Sequence, residues 1–468
     1  MENTIQKAMF SEMKDKDLFK KSQKYAFDYM DKVMDRNVFP SEEALENLMH
    51  FEESLSENST DGSKIIEMLH AYGSPATIAQ LGGRYFGFVN GGAVPAGLAA
   101  KNLSMFWDQN TALQVLSPIA SKIEVIVEKW LIDLFKLPER SAVGFVSGTS
   151  MATFCGLAAA RYRLLKNLDW DINEKGLFEA PKLRIITSKQ AHSTVVKAVG
   201  LLGFGKENIE WVPVDSQGRI IPDEIPKLDS SSILLLQAGN VNSGAFEDFK
   251  TICAMAKEVG AWVHIDGAFG LWAEAVKDLK YLTLDMQHAN SWAVDGHKTL
   301  NTPYDSGIIM CEDREALIAA LHMTGEYIIQ GDERDGMYFT PEMSKRARVI
   351  ELWATLKYLG KKGIDEMIWG LHKHAVNFSK KIGSVPGFKV LNEVVFNQVI
   401  VQCETDELTN KTITRIQKLN DCWVGGSMWN EKKIIRVSIC SWATTEEDIR
   451  IAVNSFQKAL SEVRENVS

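Results

Sequence analysis

Lys298 carries the side chain with the most telling chemistry. It lies in Ser291-Trp-Ala-Val-Asp-Gly-His-Lys-Thr-Leu300, where an apolar run stops at Asp295-Gly296 and delivers His297 and Lys298 side by side. A lysine at a strand end beside a histidine serves a core poorly. It serves imine formation well, because burial and neighbouring groups help an ammonium give up its proton. Alone, Asp-Gly-His-Lys says little, since most lysines that follow a turn are simply solvated. Three further segments change its meaning.

Ala261-Trp-Val-His-Ile-Asp-Gly-Ala-Phe-Gly270 reads as a buried parallel strand, Trp262 to Ile265, bounded by glycines. It ends in Asp266, at the edge where open α/β sheets bind their ligands. A carboxylate there would bond the ring nitrogen of pyridoxal phosphate and keep it protonated, which makes the ring a better electron sink. Gly267 and Ala268 would let the ring lie close to the backbone; the alternative for Asp266 is a cap or turn residue. Val143-Gly-Phe-Val-Ser-Gly-Thr-Ser-Met-Ala-Thr153 breaks at Ser147-Gly148 and opens an alanine-rich helix with Thr149 and Ser150 at its mouth. Unpaired amides and the helix dipole favour an anion there, although Ser or Thr is also an ordinary N-cap. In Ile185-Ile-Thr-Ser-Lys-Gln-Ala-His-Ser193 a strand leads to His192, which opens an amphipathic helix bearing Val195, Val196, Val199 and Leu202. His192 is either a cap or the residue that stacks on the ring opposite Ala268, near the reacting α-carbon.

In this order the four segments resemble the group II pyridoxal-phosphate-dependent amino acid decarboxylases of fold type I, over roughly Arg84 to Asp448. That family includes the aromatic-L-amino-acid, histidine, glutamate and diaminobutyrate decarboxylases. The resemblance implies that Lys298 forms the internal aldimine, Asp266 pairs with the pyridine nitrogen, His192 stacks on the ring and Ala268 lies beneath it. It implies that Thr149, Ser150 and His297 hold or neighbour the phosphate. Gly239-Asn-Val-Asn-Ser-Gly-Ala-Phe246 resembles the family loop after the strand Ile233 to Leu236, so Asn242 or Ser243 would face the cofactor. Two departures stand out. Many relatives carry Asn-Pro-His-Lys where this chain has Asp295-Gly296-His297-Lys298; an Asp would repel a phosphate unless it faces elsewhere, so Asp295 receives no phosphate role. Aromatic decarboxylases also place a protonating Tyr in a mobile loop. In Gly331-Asp-Glu-Arg-Asp-Gly-Met-Tyr-Phe-Thr-Pro341 the nearest candidate is Tyr338, whose alternative is packing a loop onto the surface.

These residues need a scaffold, and the rest of the chain supplies one. At 468 residues it exceeds a typical single core. Strands alternating with helices imply an α/β fold: a large domain at 76–340 with a mainly parallel sheet flanked by helices, the pyridoxal-phosphate-dependent transferase fold type I. Residues 1–75 read as a charged helical arm with Phe19, Tyr25, Phe27, Met30 and Val33 among polar residues and an N-cap signal at Ser41. Such an arm buries too little alone and is expected to pack on another subunit, giving a homodimer. Residues 341–468 read as a small α/β domain entered by a connecting helix from Arg346 to Leu359.

Composition narrows the partners. A net charge of −9 without a basic stripe argues against nucleic acid. No apolar run has the length of a membrane span, and Met1-Glu-Asn-Thr-Ile-Gln-Lys lacks a signal-peptide core. The six cysteines are scattered singly, as in a reduced cytoplasmic protein. Nine histidines form no ligand cluster, so no metal site is expected.

The substrate is the least legible part. Arg436, in the strand Ile434 to Cys440, either grips a carboxylate bidentately or is a solvent-exposed edge-strand arginine. Phe88 and Trp107 lie in segments that resemble the family's substrate mouth, with core packing as their alternative. Decarboxylation of an L-amino acid, slightly favouring an aromatic one, is the leading expectation. A carbon–carbon lyase, an aldehyde-forming oxidative decarboxylase or an aminotransferase share the scaffold. A non-catalytic binding protein has no need for Lys298, Asp266 and His192 together.

Overall fold

The computed structural model describes residues 4–322 and 334–465. Its centre is a seven-stranded sheet of β1 (Ala142–Val146), β2 (Arg184–Ser188), β3 (Ile209–Val212), β4 (Ser232–Gln237), β5 (Trp262–Asp266), β6 (Ser291–Asp295) and β7 (Gly307–Cys311). The order is β1-β7-β6-β5-β4-β2-β3, parallel from β3 through β6, with β7 antiparallel to both of its neighbours. Such strands are near-continuous apolar runs because helices cover both faces. Every residue of β4, β5, β6 and β7 is buried.

One face of the sheet packs Leu234, Leu236, Val263, Ile265, Trp292 and Val294 with the fully buried Trp272. The other packs Ile233, Leu235, Trp262 and Ala293 against the Thr149–Asn167 helix, whose alanines permit close approach. Side chains alternate along a strand. Asp266 and Asp295 therefore fall on the face of that helix, at the carboxyl ends of β5 and β6.

A second, antiparallel sheet has β8 (Lys389–Val390), β9 (Gln398–Gln402), β10 (Gly425–Trp429) and β11 (Lys432–Ser438) in the order β10-β11-β9-β8. With the helices Asp406–Leu419 and Glu446–Glu465 it encloses a separate core around Phe378, Val401, Ile435 and Phe456. The Val349–Gly383 helix serves both cores, with Leu352 and Leu356 on the first and Leu371 and Ala375 on the second. Gly360 (φ 57°, ψ 178°) interrupts it between the two halves, one residue past the Leu359 end expected from sequence. It starts at Val349 rather than Arg346 because Arg346 bridges to Asn110 and Lys345 O accepts the Thr111 N–H, which holds these residues extended.

In the arm, Thr4–Asp15 buries no residue and Asp17–Val33 buries only Val33. Ser41 Oγ accepts the Ala44 N–H and so caps Glu42–Glu46. Nearby, the Val38 N–H donates to Asn420 O and ties the arm to the second core. Ile5, Met9, Phe10, Met13, Phe27 and Met30 remain exposed. Among the described residues no helix is long and apolar enough to cross a membrane.

Candidate active site

The carboxyl ends of β4, β5 and β6 and the mouth of the Thr149–Asn167 helix enclose a cavity of about 330 Å³. Past β6 the chain turns at Gly296, where the Gly296 and His297 N–H groups both donate to Ser306 O. Thr299 Oγ1 then donates to Phe269 O at 2.8 Å. Asn301 fixes the rest of the turn. It is fully buried with φ 58°, donates through Nδ2 to the carbonyls of Lys298, Thr299 and Cys440, and accepts the Gly92 and Trp442 N–H groups. Gly91 closes over the same backbone, where an added Cβ would lie 2.1 Å from Lys298 O. The lysine thus projects from a pinned backbone into the cavity, with its Nζ 3.0 Å from Asp295 Oδ2.

Asp266 is buried, and its Oδ1 accepts the Ala268 N–H at 3.1 Å. Burial pushes its carboxyl up, against the opposing electrostatic pull of the neighbouring His192 and Lys298 side chains. His192 caps the Ser193–Leu201 helix: its Nδ1 accepts the Thr194 N–H and lies 2.7 Å from Thr194 Oγ1. With Nδ1 accepting, the ring proton is assigned to Nε2, and burial lowers the pKa, which favours the neutral imidazole. His297 accepts the Ser306 N–H at Nδ1, stacks on Tyr304 at 4.3 Å and is likewise lowered by burial.

At the helix mouth, the Thr149 N–H donates to Asp295 Oδ1 at 2.7 Å, while the buried Thr149 Oγ1 has no partner. Ser150 lines the same cavity, and Gly148 packs so tightly on Gly307 that a Cβ there would lie 2.3 Å from Gly148 Cα. Ala268, Phe88 and Arg436 complete the wall. The Phe88 ring stacks on Trp423, and Arg436 Nη1 donates to Val241 O at 3.3 Å, with no carboxylate partner among the described residues. Arg436 lies on β11, an interior strand, so the edge-strand alternative does not hold.

The structure thus brings Thr149, Ser150, His192, Asp266, Ala268, His297, Lys298, Phe88 and Arg436 together in one cavity. Four expected residues fall outside it. Asn240 Oδ1 accepts the N–H groups of Asn242 and Ser243, and this turn sends both side chains away. Asn242 Nδ2 donates to Met428 O and Ser243 Oγ to Gln217 O, while Gly239 and Val241 line the cavity instead. Tyr338 sits in the Gly336–Phe339 turn against His322, its hydroxyl buried without a partner; Gly331 to Glu333 of the same loop lie outside the described residues. Trp107 is 40% exposed on the outer surface beside Phe106 and does not line the cavity. Sequence reasoning missed Asn301 and Tyr304; a lone Asn in Leu-Asn-Thr-Pro reads as an ordinary turn residue, and only its distant partners reveal its role.

Larger hollows of about 600 and 460 Å³ open elsewhere, but carry less chemistry. In the first, Arg140, Arg163 and Arg314 are all engaged by carboxylates. In the second, Arg219 pairs with Asp215 and Glu247 accepts the Ile220 N–H. The smaller cavity has the fitting donor set: an unpartnered hydroxyl at a helix mouth for a phosphate, a buried carboxylate for a ring nitrogen and an amine for an aldehyde. Among the described residues no group of His, Cys, Asp or Glu could hold a metal ion.

Comparison with known proteins agrees with this chemistry. A family model described as the pyridoxal-dependent decarboxylase conserved domain matches residues 47–403. The chain is 27% identical over 333 residues to the acidic amino acid decarboxylase GADL1 of Mus musculus, covering 68% of this chain and 59% of that protein. It therefore spans about three fifths of the length of the curated relatives that head the comparison. It is 24% identical over 438 residues to the aromatic-L-amino-acid decarboxylase of Bacillus atrophaeus, covering 88% of each. Among solved structures, that of Oryza sativa TDC with PLP and tryptamine superposes with a TM-score of 0.88 at 19% identity, covering 97% of this chain and 98% of that one. At that identity the likeness establishes the fold.

Proposed function

The chain belongs to the pyridoxal-dependent decarboxylase family, and on that premise we propose that it removes the α-carboxylate of an L-amino acid to give the amine and carbon dioxide. The observation that carries the reading is the convergence of Lys298, Asp266 and His192 on one cavity whose helix mouth keeps an unpartnered Thr149 hydroxyl. Pyridoxal phosphate is the cofactor, and when bound it supplies a sink for the electron pair left on the α-carbon. In this reading Lys298 tethers it, Thr149 and Ser150 hold its phosphate, and Asp266 keeps the ring nitrogen protonated. His192, neutral with its proton on Nε2, covers the ring and can present that proton near the α-carbon.

For the side chain we favour an aromatic substrate, supported by the rings of Phe88 and Tyr304 in the cavity wall. A second reading, an acidic substrate, is favoured by Arg436, a half-buried guanidinium in the same wall without a carboxylate partner among the described residues. Carbon dioxide release from aromatic and acidic L-amino acids, with the amine product identified, tests both. Turnover without carbon dioxide would replace the proposal by lyase or aminotransferase chemistry, and an aldehyde product by oxidative decarboxylation.

Assembly as a homodimer belongs to the same reading. It is supported by an arm whose first helix buries nothing and by a second exposed apolar patch at Leu103, Met105, Phe106 and Trp107. A solution dimer with both sites active is expected, and sedimentation of a fully active monomer would refute it. A cytoplasmic setting is supported by six buried thiols, none of them bridged.

A further inference from the structure

Asp295 is the charged group of the cavity that has no role in the reading above. Its side chain is 3% exposed, with Oδ1 accepting the Thr149 N–H at 2.7 Å and Oδ2 lying 3.0 Å from Lys298 Nζ. One carboxylate therefore occupies two groups that a phosphorylated aldehyde would also claim: the first amide of a 19-residue helix and the amine. The cradle is half used. The Thr149 amide goes to Asp295, whereas the hydroxyl of the same residue is buried and unpartnered. A phosphate held by that hydroxyl has the Asp295 carboxylate as its neighbour, and like charges in a water-poor site repel far more strongly than in solvent.

We infer that Asp295 is a positioning residue that sets how tightly the site holds its cofactor. In the empty site it neutralises the helix mouth and Lys298, keeping both in place. In the loaded site it opposes the phosphate, so that the cofactor is bound exchangeably. The inference rests on the pyridoxal-phosphate reading of this cavity. It assigns the Asp that replaces the family's more usual Asn a function of its own, in place of mere tolerance.

The test uses the cofactor-free protein and two probes that cannot bond to Lys298: 4′-deoxypyridoxine 5′-phosphate and 4′-deoxypyridoxine. Asp295→Asn keeps the size and an oxygen for the Thr149 N–H but removes the charge; Asp295→Ser keeps a smaller oxygen and decides the matter should the Asn variant fail to fold. Either variant is expected to bind the phosphorylated probe about tenfold or more tightly than the parent protein, the scale of one like charge at close range. The gain should persist at high salt, because buried charges are screened little, and be missing for the unphosphorylated probe. Equal affinities in parent and variants, or an equal gain for both probes, would overturn the inference and leave Asp295 a plain helix cap. If parent and variants alike bind neither probe, the cofactor reading of the cavity fails, and the inference with it.

Discussion

Thr149→Val should move two measurements in opposite directions. The Thr149 hydroxyl is buried in the helix mouth and finds no hydrogen-bond partner. In the cofactor-free protein it is therefore a desolvated dipole without compensation, and such a group costs about 1–3 kcal/mol. Valine has nearly the same shape, and at the first helical position it leaves the Thr149 N–H bond to Asp295 in place. The cofactor-free variant is expected to gain stability of that order in urea unfolding. With the phosphate bound, the same hydroxyl would donate to a charged acceptor, a bond worth about 1.5–3 kcal/mol. Cofactor affinity should accordingly fall by roughly ten- to a hundredfold, read from absorbance or fluorescence titration with pyridoxal phosphate. A packing role predicts the reverse for stability and nothing for affinity. An unchanged dissociation constant, or a cofactor-free variant less stable than its parent, would refute the assignment of Thr149 to the phosphate.

Three further outcomes follow from the geometry. Lys298→Ala should lose the yellow colour and the borohydride-trapped cofactor while keeping its fold, since Lys298 adds little packing; a coloured, active variant would show the central assignment to be wrong. Asp266→Asn, with cofactor bound, should lower turnover on the order of a hundred- to a thousandfold, the usual cost of losing one preorganised electrostatic partner; a parental rate would make Asp266 a structural cap. Glu247 is buried away from the cavity, with its carboxyl pushed up to about 8 by desolvation. A pKa raised in the folded state contributes stability that is full below the ordinary value near 4.5 and is lost as pH rises through about 8. Glu247→Gln should therefore be the more stable protein at pH 8, by up to a few kcal/mol, with the gain vanishing toward pH 4.5 in urea melts. A variant equally destabilised at both pH values would mean that Glu247 acts through its hydrogen bond to Ile220 alone.

What sequence could reveal was governed by how far each residue's neighbours lie along the chain. Asp266 ends a buried strand and Lys298 and Thr149 each follow one within three residues, so strand-end position pointed to a common edge. His192 was legible as the residue that opens a helix, and its cap geometry fixes the ring. The Gly239–Phe246 segment was read by resemblance, which carries no side-chain direction within a turn. The Asn240 side chain gathers the next amides, and the residues facing the cavity become Gly239 and Val241 instead of Asn242 and Ser243. Asn301 was invisible for a different reason: two of its partners, Cys440 and Trp442, lie about 140 residues away. No local pattern encodes such a hub.

Asp295 shows where the two kinds of reading meet. Charge alone, read from sequence, forbade it a phosphate role, and that reasoning was sound about the repulsion. It could not see that the carboxylate would still turn toward the helix mouth. There the Thr149 amide and the Lys298 ammonium together stabilise an anion that burial alone would disfavour. Repulsion toward a bound phosphate is then no defect to be avoided by pointing elsewhere. It is the counterpart of the attraction that holds the empty site together, and the two states compete for the same donors. A site built this way tolerates losing its cofactor, because Lys298 and the helix mouth each keep a partner when the phosphate is gone. An Asn at this position could still accept the Thr149 N–H but would leave the Lys298 ammonium without its ion-pair partner, which is why the cofactor-free protein, rather than the loaded one, is where the substitution should first be read.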